Sequence, residues 1–444
     1  MKSSAERARG VAANVLARVE KDKAFAAAVL DAELERAAGL DVRDKGLATE
    51  LVYGTLRVAP WLTRRVERHA PRGIGKLEPH ARAHMLVAAY QLYFLTRVPA
   101  FAAVSEAVDG VTARAGKKVG AFANAVLRKV ASDSAKEPPR IVDAVIDSVS
   151  PWLMEALVRA LGDDGARAFV ASGVSAPPTG LRVEDASSRD EWLARLREAG
   201  SGGAFELGTI SPHAILARGA GRLECLPGYA SLAWTVQEEG SQLVVIAVGA
   251  RPGETVLDAC AGRGNKTSYL VRAVGPSGAV DACDLHASKL ERLRAELARL
   301  RVAPRATYAV DWSVGSGDVA GDYDRVLVDA PCTGVGTLRR RPDLATRRDP
   351  ADLSELSAKQ AAIAARAAEH VRPGGGRLVY AVCSVLREEA EDVVTHLLAR
   401  APKLRPAPFD SPAVRALAGE ASTLRLLPHV HGTDGYFVAS FVRE

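Results

Sequence analysis

The sequence predicts a multidomain protein with an all-α amino-terminal domain (residues 1–134), a small α+β module (135–236) and an α/β domain built on a parallel sheet (237–444). Three observations support this fold class. A chain of 444 residues exceeds the roughly 250–300 residues that one hydrophobic core usually holds. Apolar residues recur at helical spacing in the first third. From Thr255 onward, strand-like apolar runs alternate with helical patterns, which is typical of a parallel sheet.

The amino-terminal domain is predicted from its apolar spacing. In residues 79–95, Met85, Leu86, Ala89 and Tyr90 recur three and four positions apart, as on one face of a helix. The same pattern predicts helices over 43–57 and 121–130. Residues 132–140 are polar and contain two consecutive prolines, so we predict a linker there.

The α/β domain is predicted as five strands that alternate with helices, followed by a last helix and two more strands. The last two strands are expected to pair antiparallel at one edge of the sheet. The predicted strands are 255–260, 279–284, 306–311, 324–331 and 376–385, then 424–427 and 436–442, and the predicted helices are 266–274, 288–300, 353–371 and 388–400. The middle module also mixes strand and helix, but it contains no chemical motif.

Charge and cysteine content indicate partners and exclude some classes of protein. Residues 1–134 contain 22 Lys or Arg against 14 Asp or Glu, while the whole chain carries +6. A nucleic acid is the expected partner of such a domain, and a merely solvated basic surface is the alternative.

Five cysteines without Cys-x-x-Cys spacing predict neither a disulfide framework nor a structural zinc. Apolar runs are too short for a signal peptide or a membrane span, so we expect a cytoplasmic protein. We also expect a monomer without a metal.

A glycine-containing turn follows the first predicted strand of the α/β domain. Gly262 and Gly264 would let a ligand approach the backbone at the start of a helix, although an ordinary tight turn is the alternative. Asp284 and Asp311 end the next two predicted strands, where doubly wound folds bind ribose hydroxyls, and helix caps are the alternative for them. The sequence therefore predicts a site for a nucleoside-bearing cofactor.

Two cysteines end the fourth and fifth predicted strands of this domain. Cys332 follows Asp329-Ala330-Pro331, and Cys383 follows Tyr380-Ala381-Val382. A thiol at the carboxyl end of a parallel strand lies where α/β sheets bind ligands, so covalent chemistry on an electrophilic ring is predicted. Physical argument alone does not choose between the two thiols. Cys225, Cys260 and Cys283 are interpreted as small hydrophobic residues.

A run of arginines follows Cys332. Such a run is usually a solvated face, but beside a candidate nucleophile it is well placed to bind phosphates. The predicted RNA-binding residues are Arg339, Arg340, Arg341, Arg347 and Arg348.

These motifs together resemble the Nop/Sun family of RNA cytosine methyltransferases, in particular its Sun/RsmB type, over nearly the whole chain. The two cysteine motifs, Asp329-Ala330-Pro331-Cys332 and Tyr380-Ala381-Val382-Cys383-Ser384, match that family. Further similar segments are Leu51-Val52-Tyr53-Gly54-Thr55-Leu56-Arg57, Tyr90-Gln91-Leu92, Asn124-Ala125-Val126-Leu127-Arg128, Gln237-Glu238-Glu239-Gly240-Ser241-Gln242 and Asp434-Gly435-Tyr436-Phe437.

The resemblance implies a fold and an activity. It implies a NusB-like RNA-binding domain, a middle module of the RRM or ferredoxin-like type and a Rossmann-like class I methyltransferase domain. The implied reaction transfers a methyl group from S-adenosylmethionine to carbon 5 of a cytosine, with 16S ribosomal RNA as the expected substrate.

The resemblance also implies residue roles. Cys383 is the implied nucleophile, Cys332 assists product release, and Asp329 and Lys266 complete the catalytic set. Asp284 is expected on the ribose. The implied cofactor-binding residues are Cys260, Ala261, Gly262, Arg263, Gly264, Asn265, Lys266, Asp284, Asp311 and Asp329.

One departure concerns the glycine turn. The family commonly has Ala-Pro-Gly-Gly-Lys-Thr where this chain has Gly262-Arg263-Gly264-Asn265-Lys266-Thr267. Lys266 is retained, whereas Arg263 and Asn265 change the expected backbone shape of the turn.

Three alternatives remain open from the sequence. A non-catalytic RNA-binding factor of ribosome assembly would methylate no cytosine. A nucleotide-dependent dehydrogenase would bind nicotinamide and leaves the paired cysteine motifs unexplained. The same chemistry on transfer RNA would change only the substrate.

Overall fold

The computed structural model describes residues 4–200 and 202–444, which fall into two compact units. Of these residues, the first unit comprises 4–155, 163–176 and 338–347, and the second comprises 156–162, 177–200, 202–337 and 348–444. The helices of the predicted middle module thus group mainly with the first unit, and its strands group with the second. The three-domain division remains a prediction.

The first unit is helical, as the apolar spacing predicted. Its helices are α1 (Ser4–Asp22), α2 (Ala26–Arg36), α3 (Val42–Arg57), α4 (Ala59–Glu67), α5 (Pro79–Phe94), α6 (Ala100–Ala115), α7 (Lys117–Lys136), α8 (Ile141–Ile146), most of α9 (Pro151–Ala171) and α14 (Leu344–Arg347). The predicted helices over 43–57 and 79–95 are confirmed as α3 and α5, and the one over 121–130 is the middle half of α7.

Local chemistry explains where these helices start and how they pack. The Asp41 side chain accepts a hydrogen bond from the Asp44 amide and caps α3, and α5 begins with Pro79, which suits a first helical turn. A Cβ at Gly54 would lie 2.2 Å from the Tyr90 ring. The glycine of the Leu51–Arg57 motif therefore makes room for the tyrosine of α5.

The predicted linker is shorter in the structure. Helix α7 continues to Lys136, so only Glu137–Arg140 of the predicted 132–140 segment lies outside a helix. The prediction was wrong for Ser132–Lys136 because Ala131, Ala135 and Lys136 are good helix formers that outweigh the two serines.

A four-stranded antiparallel sheet belongs to the second unit, in the order β2-β3-β1-β4. Its strands are β1 (Thr179–Val183), β2 (Ala204–Leu207), β3 (Ala214–Arg218) and β4 (Trp234–Val236), and α10 (Arg189–Glu198) connects β1 to β2. Leu181, Leu196 and Trp234 are buried in its core. This strand order is that of the ferredoxin-like arrangement.

The larger sheet of the second unit has eight strands, in the order β10-β12-β9-β8-β5-β6-β7, with β11 paired to β12. These strands are β5 (Thr255–Asp258), β6 (Ala279–Asp284), β7 (Ala306–Ala309), β8 (Arg325–Asp329), β9 (Arg377–Val382), β10 (Leu404–Pro406), β11 (Thr423–Leu426) and β12 (Tyr436–Arg443). Strands β5 to β9 pair in parallel, as predicted.

Helices connect the strands of this sheet. They are α11 (Glu239–Ile246), α12 (Asn265–Val274), α13 (Ala287–Arg299), α15 (Pro350–Glu369), α16 (Glu391–Arg400), α17 (Pro412–Ala418) and α18 (Pro428–His431). Cores on the two sheet faces contain Tyr380 and Phe437 on one side and Val379 and Val438 on the other. Burial on both faces is why these strands are continuous apolar runs rather than alternating ones.

The carboxyl-terminal strands differ partly from the prediction. β11 pairs antiparallel with β12, as expected. β12 lies inside the sheet, however, because it also pairs with β9 and with β10. β10 was not predicted, since a three-residue strand is too short to show an alternating pattern. Among residues 4–200 and 202–444, no helix has the length and apolarity that crossing a membrane requires.

Candidate active site

The carboxyl ends of the parallel strands bring the predicted site residues to one edge of the sheet. Asp284 ends β6 and Asp329 ends β8, while Cys383 directly follows β9; Asp258, which was not a predicted site residue, ends β5. Asp311 lies two residues after β7. Strand topology alone explains this convergence, because parallel strands present all their carboxyl ends on the same side.

A cavity of about 310 Å³ opens at this edge. Five predicted cofactor residues line it, namely Cys260, Gly262, Asp284, Asp311 and Asp329. The rest of its wall is formed by Ala259, Leu285, His286, Lys289, Val310, Trp312, Ser313, Pro331, Leu356, Lys359 and Ile363. The cavity therefore combines carboxylates with apolar and aromatic surface.

Most of the apolar wall was missed from the sequence. Leu285 could have been found, because it directly follows the carboxylate at the end of β6. Leu356 and Ile363 come from α15, and nothing in their local pattern distinguishes them from ordinary core residues. The other predicted loop residues, Ala261, Arg263, Gly264, Asn265 and Lys266, do not line the cavity.

The glycine turn has a backbone that requires glycine. Gly262 has φ +57° and Gly264 has φ +88°, in the left-handed region. A Cβ at Gly264 would also lie 3.1 Å from the Leu293 side chain. The Gly262 amide donates to Asp284 Oδ2 at 3.2 Å, so a hydrogen bond links the glycine turn to the end of β6.

Asp284 and Asp311 are both preorganised by hydrogen bonds. Asp284 also accepts from the His286 amide at 2.9 Å and lies 3.3 Å from Lys289 Nζ. Asp311 Oδ1 accepts from the Ser313 amide and hydroxyl, and these bonds hold the pKa of Asp311 below its usual value. Two fixed carboxylates at one cavity can accept hydrogen bonds from a sugar diol.

Lys266 connects the turn to the end of β8. Its Nζ lies 2.6 Å from Asp329 Oδ2. Burial disfavours the charged ammonium, but the Asp329 carboxylate more than offsets this effect, so the pKa of Lys266 is raised. Lys266 is therefore a cation at neutral pH and fixes Asp329 at the cavity wall.

Asp258 lies beneath the turn and is 1% exposed. Its Oδ2 accepts from the Thr267 hydroxyl at 2.7 Å, while its Oδ1 has no hydrogen-bond partner among the described residues. Burial raises the pKa of Asp258 to about 7, and the Thr267 bond offsets this only in part. Its protonation therefore changes near neutral pH.

The two predicted reactive cysteines meet. Cys332 Sγ and Cys383 Sγ are 3.2 Å apart, and both residues are partly buried. The hydrogen bond with Cys383, together with burial, raises the pKa of Cys332 well above its usual value. Cys332 is consequently a neutral thiol at physiological pH, able to donate to the sulfur of Cys383.

The other cysteines have different surroundings. Burial raises the pKa values of Cys260 and Cys283, so both remain thiols, in keeping with their interpretation as small hydrophobic residues. Cys225 is exposed, which is not what that interpretation predicts.

A buried polar network holds the loop around Cys332, and the sequence did not reveal it. Glu389 is fully buried and accepts from the Thr333 amide at 2.7 Å, from the Thr333 hydroxyl, and from Gln360 Nε2 at 2.9 Å. Gln360 Nε2 also donates to the Pro331 carbonyl at 2.9 Å. The backbone on both sides of Cys332 is thereby tied to α15 and to the turn before α16.

The loop after Cys332 also contacts the backbone at Cys383. The Gly336 amide donates to the Cys383 carbonyl at 3.0 Å, and the Gly435 amide donates to the Gly336 carbonyl at 2.8 Å. A Cβ at Gly336 would lie 2.0 Å from the Gly435 carbonyl oxygen. Only glycine fits at this crossing.

The predicted arginines divide between the two units. Arg339, Arg340, Arg341 and Arg347 lie in Leu338–Arg347, which groups with the helical unit. There, the guanidinium groups of Arg341 and Arg347 lie 4.8 and 4.2 Å from the ring centroid of Phe25. Arg348 belongs to the second unit and donates to the Thr333 carbonyl at 3.1 Å. Phosphate binding by these arginines remains a prediction.

Comparison with known proteins identifies related sequences for both parts of the chain. Residues 245–442 match the family model described as 16S rRNA methyltransferase RsmB/F, and residues 6–132 match the NusB family. The chain is 32% identical to ribosomal RNA small subunit methyltransferase B of Pseudomonas putida, with 98% of each protein covered. It is 30% identical to the probable ribosomal RNA small subunit methyltransferase B of Bacillus subtilis, again over 98% of each.

Solved structures share the fold. The crystal structure of PH0851 aligns over 98% of both chains with a TM-score of 0.81 and 23% identity. NSun6 from Pyrococcus horikoshii, solved with SFG, covers 67% of this chain and 99% of its own, with a TM-score of 0.57 and 17% identity. At these identities the structural matches bear on the fold alone.

Proposed function

The chain belongs to the RsmB/F family of 16S rRNA methyltransferases and carries a NusB-family domain, and from this premise we propose its reaction. The proposed reaction transfers a methyl group from S-adenosylmethionine to carbon 5 of a cytosine in small-subunit ribosomal RNA. The observation that carries the proposal is the pair of thiols 3.2 Å apart, at the sheet edge that also carries the cavity.

The cavity fits the proposed cofactor by its chemistry. Asp284 and Asp311 supply acceptors for ribose hydroxyls, and Leu285 and Ile363 supply apolar surface for a purine. When bound, S-adenosylmethionine supplies an electrophilic methyl group. Asp329 and Pro331 belong to the cavity wall and lie within three residues of Cys332, which supports a cytosine site next to the cofactor site.

Cys383 is proposed as the nucleophile. Carbon 5 of cytosine is a poor nucleophile until a group adds to carbon 6, so the reaction needs a thiolate there. Cys383 lies in the Tyr380–Ser384 motif, which resembles the motif that carries the nucleophile in the family. On that resemblance we assign the Sγ–C6 bond to Cys383, with Cys332 Sγ 3.2 Å from its sulfur.

Asp329 and Cys332 are proposed to act in the remaining steps. Asp329 can accept a hydrogen bond from the exocyclic amino group of the ring, and Lys266 holds it in place. After methylation a base removes the carbon 5 proton, the electron pair re-forms the C5–C6 double bond and the Sγ–C6 bond breaks. Cys332, 3.2 Å away, can then stabilise the departing Cys383 thiolate by donating its S–H.

The cysteine roles can be tested by substitution with 16S ribosomal RNA as substrate. Cys383→Ala should abolish methyl transfer, because no group remains to add to carbon 6. Cys332→Ala should accumulate a covalent protein–RNA adduct that survives a denaturing gel, because release of the sulfur is slowed. Incorporation of labelled methyl groups and the gel shift are the two measurements.

Cys225→Ala is the matched control, because Cys225 is an exposed thiol in a short 3-10 helix between β3 and β4. It should behave as the unsubstituted protein does. Normal turnover by Cys383→Ala would refute the role assignment. Transfer RNA is included as a second substrate, and methylation of transfer RNA alone would refute the assignment of ribosomal RNA.

A further inference from the structure

Arg182 of the small sheet contacts the first turn of α12, although it lies far from that helix in the sequence. It is on β1, its side chain is 1% exposed, and its Nη1 donates to the Asn265 carbonyl at 2.9 Å. Its Nη2 donates to Ser268 Oγ at 3.0 Å. Both acceptors belong to the first turn of α12, the helix that begins at the glycine turn.

The guanidinium group is itself held firmly. Nη1 also donates to Gln237 Oε1 at 2.6 Å, and Nη2 pairs with Glu184 at 3.2 Å. The plane lies over the Tyr269 ring, with 5.5 Å between the guanidinium carbon and the ring centroid. A planar fork with several donors can serve all these acceptors at once, which a lysine ammonium cannot do.

The backbone around Arg182 is built for close approach. The Gln237 amide donates to the Gly180 carbonyl at 2.9 Å. A Cβ at Gly180 would lie only 2.3 Å from the Gln237 carbonyl oxygen. β1 therefore packs directly against the segment that leads into α11. In this arrangement the Arg182 side chain points toward α12 and reaches Asn265 and Ser268.

The turn that Arg182 holds carries groups of the proposed site. Lys266, directly after Asn265, makes the 2.6 Å pair with Asp329 at the cavity wall. Thr267 bonds the buried Asp258. Hydrogen bonds from Arg182 on one side and to Asp258 on the other thus fix the orientation of one helical turn.

From these contacts we infer that Arg182 is a positioning residue for cofactor binding. It locks the first turn of α12 so that the glycine turn and the Lys266–Asp329 pair have their binding geometry before the cofactor arrives. The small sheet is then a structural part of the cofactor site. This inference rests on the proposed function, in that S-adenosylmethionine is the ligand of the cavity.

The test compares Arg182→Lys with the unsubstituted protein. We expect the Kd for S-adenosylhomocysteine, measured by calorimetry, to rise at least about tenfold, because a misplaced binding group loses much of its effect. The KM for S-adenosylmethionine should rise in parallel, while kcat at saturating cofactor stays within about threefold. A variant that only lost folded protein would lower apparent kcat and leave KM unchanged.

Two further variants separate positioning from folding. Ser268→Ala keeps Arg182 but removes one acceptor, and should raise the Kd about threefold, the effect of one hydrogen bond. Arg197→Lys is the matched control, because Arg197 donates to the Phe205 carbonyl inside the small sheet. Its Kd should not change.

Hydrogen exchange gives a readout that does not depend on activity. In Arg182→Lys the amides that make the first intrahelical hydrogen bonds of α12, beginning with that of Ser268 to the Gly264 carbonyl, should exchange faster than in the unsubstituted protein. Unchanged Kd values in both Arg182→Lys and Ser268→Ala would overturn the inference. Failure of the unsubstituted protein to bind S-adenosylhomocysteine would instead overturn the proposed function.

Discussion

Replacing Glu389 tests whether its buried carboxylate holds the Cys332 loop. The side chain is fully buried and accepts two bonds from Thr333 and one from Gln360. Glu389→Ala would leave the Thr333 amide and one Gln360 N–H buried without an acceptor. Each such donor costs about 1–3 kcal/mol, which gives a loss of about 2–6 kcal/mol in the free energy of unfolding.

The expected loss of unfolding free energy lies in the lower part of this range for Glu389→Ala, and it is smaller for Glu389→Gln. Removing the carboxylate also removes the cost of burying its charge, so we expect the lower part of the range, about 2–3 kcal/mol. Glu389→Gln keeps one acceptor oxygen, and its amide can donate to the Thr333 hydroxyl. The loss for Gln should therefore be smaller, about 1 kcal/mol.

Urea unfolding measures the free energies, and the denaturing gel reports on the active site. Because Thr333 directly follows Cys332, loosening this loop should also slow release, so a covalent RNA adduct should accumulate in Glu389→Ala. Glu420→Ala is the control, because its side chain is 80% exposed, and it should change stability by less than about 0.5 kcal/mol. If Glu389→Ala changed the free energy of unfolding by less than about 0.5 kcal/mol and turned over normally, the proposed role of the network would be refuted.

Two further predictions concern Asp258 and Gly336. The pKa of Asp258 is raised to about 7 from 3.8, so the folded state retains a proton that the unfolded state has lost, and stability falls as pH rises from about 4 to 7. Asp258→Asn should remove this pH dependence. Relative to the unsubstituted protein, the free energy of unfolding of Asp258→Asn should rise across that pH range by at most about 4 kcal/mol, at 1.4 kcal/mol per pKa unit. A difference in unfolding free energy that stays constant with pH in urea unfolding would contradict this. Gly336→Ala places a Cβ against the Gly435 carbonyl, so it should lower the free energy of unfolding by about 1–3 kcal/mol and abolish methyl transfer. Gly315 has open space around it, so Gly315→Ala should leave both stability and methyl transfer unchanged.

The prediction from sequence succeeded where the signal was local. The strands of the parallel sheet could be placed because continuous apolar runs end at polar residues, and the carboxyl ends of parallel strands share one edge. That rule predicts that Asp284, Asp329 and Cys383 lie close together. Short elements such as β10 were missed because three residues show no periodicity.

The division of the arginine run illustrates a different limit. All five arginines lie within ten residues of one another, and the sequence treats them as one basic segment. In the structure, Arg341 and Arg347 pack over Phe25 of the helical unit, whereas Arg348 bonds Thr333. Charge spacing predicts exposure, but it does not predict which distant ring or carbonyl a guanidinium group meets.

The order of the elements, the glycine turn and the residues at the strand ends could be predicted from the sequence alone, because periodicity and turn chemistry act over a few neighbouring residues. The groups that support them are brought into place by the folding of distant segments. Glu389 reaches Thr333 across 56 positions, and Arg182 reaches Ser268 across 86. A buried hydrogen bond of that span leaves no local pattern, since each partner alone is an ordinary polar residue whose role exists only once the chain has brought the two together.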